Sequence, residues 1–217
     1  PELMAIPEET LEAFYREVPN LERYRRSFQE LRRKKQHILS DAEERLLAQA
    51  GEMAQAPDNI FSMFNDADLK FPDAVDAEGK AHPLSQGNYT SYMEQSDRVL
   101  RKSAFENLYK LYGDYRNTLA ATLAAQVKQL QFFSQARNYP SSLHMSLDST
   151  NVPVEVYYNL IDTVHQNLDK MHRYVRLRKK LLGVDELHMY DLYTPMTENS
   201  GEHFSFEDAK KAVLEGL

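Results

Sequence analysis

The chain has 217 residues, enough for one ordinary domain or two small ones with a sizeable buried core. Apolar residues make up 42% and charged residues 27%, a mix that excludes collagen-like, low-complexity and largely disordered chains. Acidic residues outnumber basic ones by 33 to 26, and the net charge of −7 argues against phosphate-backbone binding as the main activity.

Zero cysteines exclude a disulfide scaffold, a thiolate metal site and a cysteine nucleophile, and fit a reducing cytoplasm. No run approaches ~18 uncharged apolar residues, so no membrane span is expected. Pro1-Glu2-Leu3 opens without the basic and apolar segments of a secretory leader. Only seven glycines point to helices rather than turn-rich β structure.

In chain order, Pro7 suits a helix start, and Leu11, Phe14, Tyr15 and Val18 fall on one helical face before Pro19. Leu21, Tyr24, Phe28 and Leu31 predict a second helix to about His37. Ser40-Asp41-Ala42-Glu43 reads as a capping box opening a third, with Leu46, Leu47, Ala50 and Met53. Pro57-Asp58 breaks it and starts a short fourth. Alternation at Leu69-Lys70-Phe71, a turn at Asp76–Gly79 and a return at Ala81–Leu84 predict a β-hairpin that must pack on helices to be stable.

Ser96 is the expected N-cap of a very long helix to about Asn138, roughly 60 Å if unbroken, with Gly113 its weak point. Pro140 ends it, and one or two turns follow at Ser141–Leu147. Pro153 opens another long helix, whose seam is Tyr157, Ile161, Val164, Leu168, Met171, Val175 and Leu182, with Gly183 as the stop. Ser205-Phe206-Glu207-Asp208 looks like a last N-terminus. The expectation is mainly α: long antiparallel helices with one small β-hairpin near 68–84. The segments are 1–66 helical, 67–88 hairpin insert and 89–217 long-helix, with no repeat or flexible linker.

Asp162, His165, Asp169 and His172 form two D-x-x-H units seven residues apart, donors suited to a di-metal helical site. Each sits one residue past the apolar seam, about 100° around the helix, where polar boundary residues belong. Basic runs at Arg23–Lys35 and Arg173–Lys180 read as solvated faces rather than a nucleic-acid surface. Phosphate-binding glycine loops and the G-x-S-x-G elbow are absent, as is the zincin motif H-E-x-x-H. Glu202-His203 resembles half of H-x-x-E-H, but Asn199 stands where its first histidine belongs.

Several motifs occur in one order: Asp68-Leu69-Lys70-Phe71-Pro72, Gly87-Asn88-Tyr89, Asp97-Arg98-Val99-Leu100-Arg101-Lys102 with Ala104-Phe105, His172-Arg173-Tyr174, Leu177-Arg178-Lys179-Lys180, and Leu187-His188-Met189-Tyr190-Asp191-Leu192-Tyr193. The chain thereby resembles oligoendopeptidase F, strongly over 60–195 and more loosely over 1–59. That resemblance implies a cytoplasmic zinc metallopeptidase that cleaves short peptides in a channel between helical halves. It implies a zinc held by H-E-x-x-H and a more distant glutamate, neither of which has a counterpart in this sequence. No catalytic or metal residue is therefore assigned here.

The expected role is the helical wall of the substrate channel, with short peptides and a catalytic half as partners, no nucleic acid and no membrane. The piece alone is expected to be inactive, and Pro1 in place of Met agrees with a truncated start. His188, Tyr190, Asp191 and Tyr193 are the candidate channel or junction residues. The alternatives for them are bridging packed elements and, for Asp191, pairing with an arginine or capping a helix. A stand-alone helical interaction module is the alternative for the whole chain.

Overall fold

The structure is a computed structural model and describes Leu3, residues 6–197 and residues 205–216. It is mainly α. The helices are α1 (Glu8–Glu17), α2 (Arg25–Arg33), α3 (Asp41–Ala54), α4 (Ala56–Met63), α5 (Gln86–Met93), α6 (Arg98–Asp114), α7 (Arg116–Ala136), α8 (Ser142–Asp148), α9 (Val154–Gln166), α10 (Leu168–Leu182) and α11 (Phe206–Gly216). One two-stranded antiparallel sheet pairs β1 (Ala74–Val75) with β2 (Ala81–His82), Ala74 opposite His82 and Val75 opposite Ala81. No described helix is long and apolar enough to cross a membrane.

The chain forms two compact units, each drawn from two stretches: Pro1–Leu69 with Arg116–His165, and Lys70–Tyr115 with Gln166–Leu217. In the first, the Ser40 hydroxyl accepts from the Glu43 N–H while the Glu43 carboxylate accepts from the Ser40 N–H at 2.9 Å, the reciprocal box expected at the start of α3. Glu44 on α3 takes both terminal nitrogens of Arg137 at 2.8 Å, and the Arg137 carbonyl accepts from His37 Nδ1 at 2.8 Å. These bonds tie α3 and the 3₁₀ turn Lys34–His37 to the end of α7. Arg25 lies over the Tyr15 ring, 4.1 Å from its centre, joining α1 to α2.

In the second unit, Ala74, Leu84, Met93, Leu100, Ala104, Leu108 and Tyr190 form the buried cluster, with Phe71, Tyr89, Tyr92, Phe105 and Tyr112 packed around it. The hairpin docks on α6: the Val75 N–H donates to Ser103 Oγ at 2.9 Å, and Asn107 Nδ2 to the Asp73 carbonyl at 2.8 Å. In the turn, Asp76 accepts from the Lys80 and Glu78 N–H groups and pairs with His82 Nε2 at 2.7 Å. Gly79 takes the positive φ of +82° that closes it.

Four expectations are corrected. The N-cap of α6 is Asp97, not Ser96: its Oδ1 accepts from the Val99 and Leu100 N–H groups, and its Oδ2 from the Ala77 N–H at 2.8 Å. The strands are shorter than predicted, because the alternation at Leu69–Phe71 lies before the ladder. The helix from 96 to 138 is two helices, interrupted at Tyr115 (φ −103°, ψ 12°), two residues past Gly113. The helix from 153 to 182 is interrupted at Asn167 (φ −110°, ψ 6°), a poor helix former whose side chain competes for backbone groups. Along the expected seam Ile161 and Val175 are half-buried, but Val164, Leu168 and Met171 are exposed.

Candidate functional site

Asp191 stands at the centre of the second unit, with 0% of its surface exposed. It ends a 3₁₀ turn, Met189–Asp191, which follows the stop of α10 at Gly183. Arg98, in the first turn of α6, grips the carboxylate with two bonds, Nε to Oδ1 at 3.1 Å and Nη2 to Oδ2 at 3.0 Å. Arg101, one turn further, donates from Nη2 to Oδ1 at 2.9 Å, and the His188 N–H caps Oδ2 at 3.0 Å. Burial on its own raises the Asp191 pKa. Donation from Arg98, the His188 N–H and Arg101 outweighs that and holds it at about 2.

The arginines carry more positive charge than one carboxylate balances, and backbone carbonyls take up the remainder. Arg101, 3% exposed, donates to the carbonyls of Tyr190 (3.0 Å), Gln95 (2.7 Å) and Ser96 (2.9 Å). Arg178 of α10, 5% exposed, donates to the carbonyls of Asp191 (2.9 Å) and Thr194 and to the Tyr174 hydroxyl. The Thr194 hydroxyl closes the ring on the Met93 carbonyl at 3.3 Å, where α5 ends. Guanidinium groups thus meet the Asp191 carboxylate and the carbonyls of Tyr190, Asp191 and Thr194, so side chains from α6 and α10 hold the loop at residues 190, 191 and 194.

Three of the four sequence candidates meet in this cluster. Tyr190 is buried, with Phe105 edge-on at 5.8 Å, the His188 ring stacked at 4.9 Å and the Arg98 guanidinium 5.3 Å from its centre. Asp191 both pairs with arginines and caps its turn. Tyr193 does not join them: it is 61% exposed. Nearby, burial first and then Tyr109 and Tyr193 push the Tyr89 hydroxyl up to about 12, so it stays a neutral phenol.

The three arginines were not among the candidates. Arg98 and Arg101 stood in the quoted Asp97–Lys102 motif, and Arg178 in a run read as solvated. The sequence did hold a signal: the seam of α10 steps by seven from Val175 to Leu182, and the position it skips is Arg178. A cation standing where the core line requires an apolar side chain marks a buried guanidinium.

The donor set does not fit a zinc centre. Among the described residues no three His, Asp or Glu side chains gather to hold a metal ion. Asp162 and His165 lie on α9, Asp169 and His172 on α10, all four exposed, with Asn167 breaking the helix that was to align them. Asn199, Glu202 and His203 lie outside the described residues.

A mainly α chain with a minimal hairpin and an arginine-clamped loop is the class these observations define. Residues 2–71 match the family profile described as Oligopeptidase F, and residues 91–217, more than half of the chain, match that of Peptidase family M3. The chain belongs to peptidase family M3. It is 40% identical over all 217 residues to Oligopeptidase PepF of Bacillus subtilis, spanning 32% of that protein. Against the plasmid-borne Oligoendopeptidase F of Lactococcus lactis subsp. cremoris it is 40% identical over the same 217 residues, spanning 36%. The crystal structure of oligoendopeptidase-F from Enterococcus faecium superposes with a TM-score of 0.84 at 39% identity, covering 100% of this chain and 41% of that one. The chain thus spans about a third of the length of the curated relatives it matches.

Proposed function

We propose that this chain is part of a zinc-dependent oligoendopeptidase of the cytoplasm that hydrolyses short peptides, and that it builds the helical wall of the substrate channel. The observation that carries the reading is similarity over all 217 residues of this chain, at 40% identity, to about a third of proteins named as oligopeptidases. In this reading the zinc and its ligands come from sequence that this chain does not contain, and no hydrolytic step is assigned to its own residues. The Asp191 cluster supports the wall role, since a channel that admits flexible peptides and rejects folded proteins needs loops that do not yield. The exposed apolar side chains of α9, Val156, Tyr158, Leu160 and Val164, support a surface covered by a partner, the catalytic half.

The test compares the purified 217-residue chain with the protein encoded by the whole open reading frame, on internally quenched peptides with and without a chelator. Cleavage by the longer protein that the chelator abolishes, with none by the chain alone, is the expected result. Zinc-dependent cleavage by the chain alone, or chelator-insensitive cleavage by the longer protein, overturns the proposal.

A further inference from the structure

Helix α4 does not finish on α geometry. It runs into a π-turn, Phe64–Asp68, in which the Leu69 N–H reaches back to the Phe64 carbonyl at 3.0 Å. A single π-turn widens the helix by one inserted residue, a rare geometry found mostly at functional sites. Its effect here is specific. The stripe Ile60, Met63, Phe64 runs at steps of three and four, and a regular α-helix would continue it with Ala67. The wider turn advances the stripe by one residue, so the central place falls to Asp68.

That stripe lines a cleft of about 390 Å³ that lies wholly within the first unit, with Leu119 and Thr122 of α7 on its other wall. The size suits a small ligand. The Thr122 hydroxyl donates to the Thr118 carbonyl at 2.9 Å, which leaves the α7 wall largely apolar. Asp68 is the one charged residue that lines the cleft, and Ala67 does not line it. The Asp68 carboxylate is exposed and has no hydrogen bond or ion pair among the described residues. Charge along this segment has a single sign: residues 56–69 carry Asp58, Asp66 and Asp68, with no Lys or Arg.

Apolar walls and an unpaired carboxylate at the mouth call for two properties in one ligand. An apolar body gains by leaving water for Ile60, Phe64 and Leu119, and an ammonium at its end meets Asp68 while still hydrated. An anionic ligand would be repelled, and a neutral one would gain nothing from the inserted residue. We propose that this cleft binds a small apolar molecule carrying one ammonium group, its body between α4 and α7 and its charge at Asp68. The site rests on this geometry and not on the peptidase reading.

The test is NMR of the 217-residue chain with ¹³C-methyl methionine, titrated at neutral pH with 4-phenylbutylamine, 4-phenylbutanol and 4-phenylbutanoate. Met63 lines the cleft, and Met63→Leu identifies its methyl resonance. The expected result is a saturable shift of that resonance by the amine, with the alcohol about threefold weaker and the acid weaker still. Asp68→Asn alters only an exposed side chain, leaves circular dichroism unchanged, and makes amine and alcohol equal. Thr122→Met narrows the cleft from the α7 side and weakens all three ligands. Equal binding of amine and alcohol by the parent chain marks a bare apolar groove of the kind a protein segment covers, and overturns the proposal. So do a preference that survives Asp68→Asn, binding unchanged by Thr122→Met, a Met63 methyl that does not respond, and no saturation up to ~5 mM. None of these results depends on hydrolysis by a longer protein, so the two readings fail separately.

Discussion

Arg178 and Asp191 meet through the backbone and not through their charges. The guanidinium Nε donates to the Asp191 carbonyl at 2.9 Å, while the Asp191 carboxylate is already taken by Arg98 and Arg101. Arg178 therefore serves as a buried fork for two carbonyls, those of Asp191 and Thr194. Arg178→Met keeps the stem and removes the fork, stranding both acceptors. We expect a loss of about 3 kcal/mol in urea unfolding, with Arg178→Lys recovering little because an ammonium cannot reach two carbonyls in a plane.

Asp191→Asn leaves two guanidinium groups beside a neutral amide. Breaking a buried pair in this way costs about 3–5 kcal/mol, far above the effect of a surface ion pair. A variant as stable as the parent in the same urea titration would contradict the account of the cluster.

The same carboxylate sets an acid limit. Its folded pKa of about 2 lies below the ordinary 3.8, so the unfolded chain binds the proton first as pH falls. Its contribution is fully present above the ordinary value and disappears as pH drops through about 4 toward 2, amounting to about 2 kcal/mol. Unfolding free energies measured from pH 5 to 2 should fall more steeply in the parent than in Asp191→Asn. Parallel curves would refute the assignment.

Asp97 and Ser96 compete in sequence for the cap of α6, and the bonds to Val99, Leu100 and Ala77 give it to Asp97. Asp97→Ala should cost about 2 kcal/mol and loosen the hairpin turn at once, seen as faster amide exchange at Ala77. Ser96→Ala should change stability by less than about 0.5 kcal/mol.

Two glycines respond oppositely to alanine. Gly113 is inside α6 with no heavy atom within 4 Å of an added methyl, and Gly113→Ala should stabilise by about 1 kcal/mol. Gly183 has φ +64°, and Gly183→Ala should destabilise by about 1 kcal/mol despite equally open space. Thermal unfolding of the two variants separates them by sign.

Much of this architecture was written locally. The Ser40–Glu43 box, the Asp76–Gly79 turn and the Gly183 stop all depend on neighbours within five residues, and all three are present where the spacing placed them. Tyr115 and Asn167 were harder, because a continuous apolar period runs through both breaks and masks them. The Asp191 cluster was half legible: the carboxylate drew notice, but its partners lie about 90 residues away and only the fold joins them. The His37 contact gave no sign in sequence, since the carbonyl that its Nδ1 faces lies 100 residues downstream.

That distance matters during synthesis. When Arg101 is added to the growing chain, its carboxylate partner is still 90 residues from being made. Chains emerge at about 5–20 residues per second, so for several seconds α6 carries an unmatched cation on the face that will become interior. The second unit cannot seal until Asp191 arrives, and the stretch from Lys70 to Tyr115 must stay hydrated, or be sheltered by a chaperone, until it does.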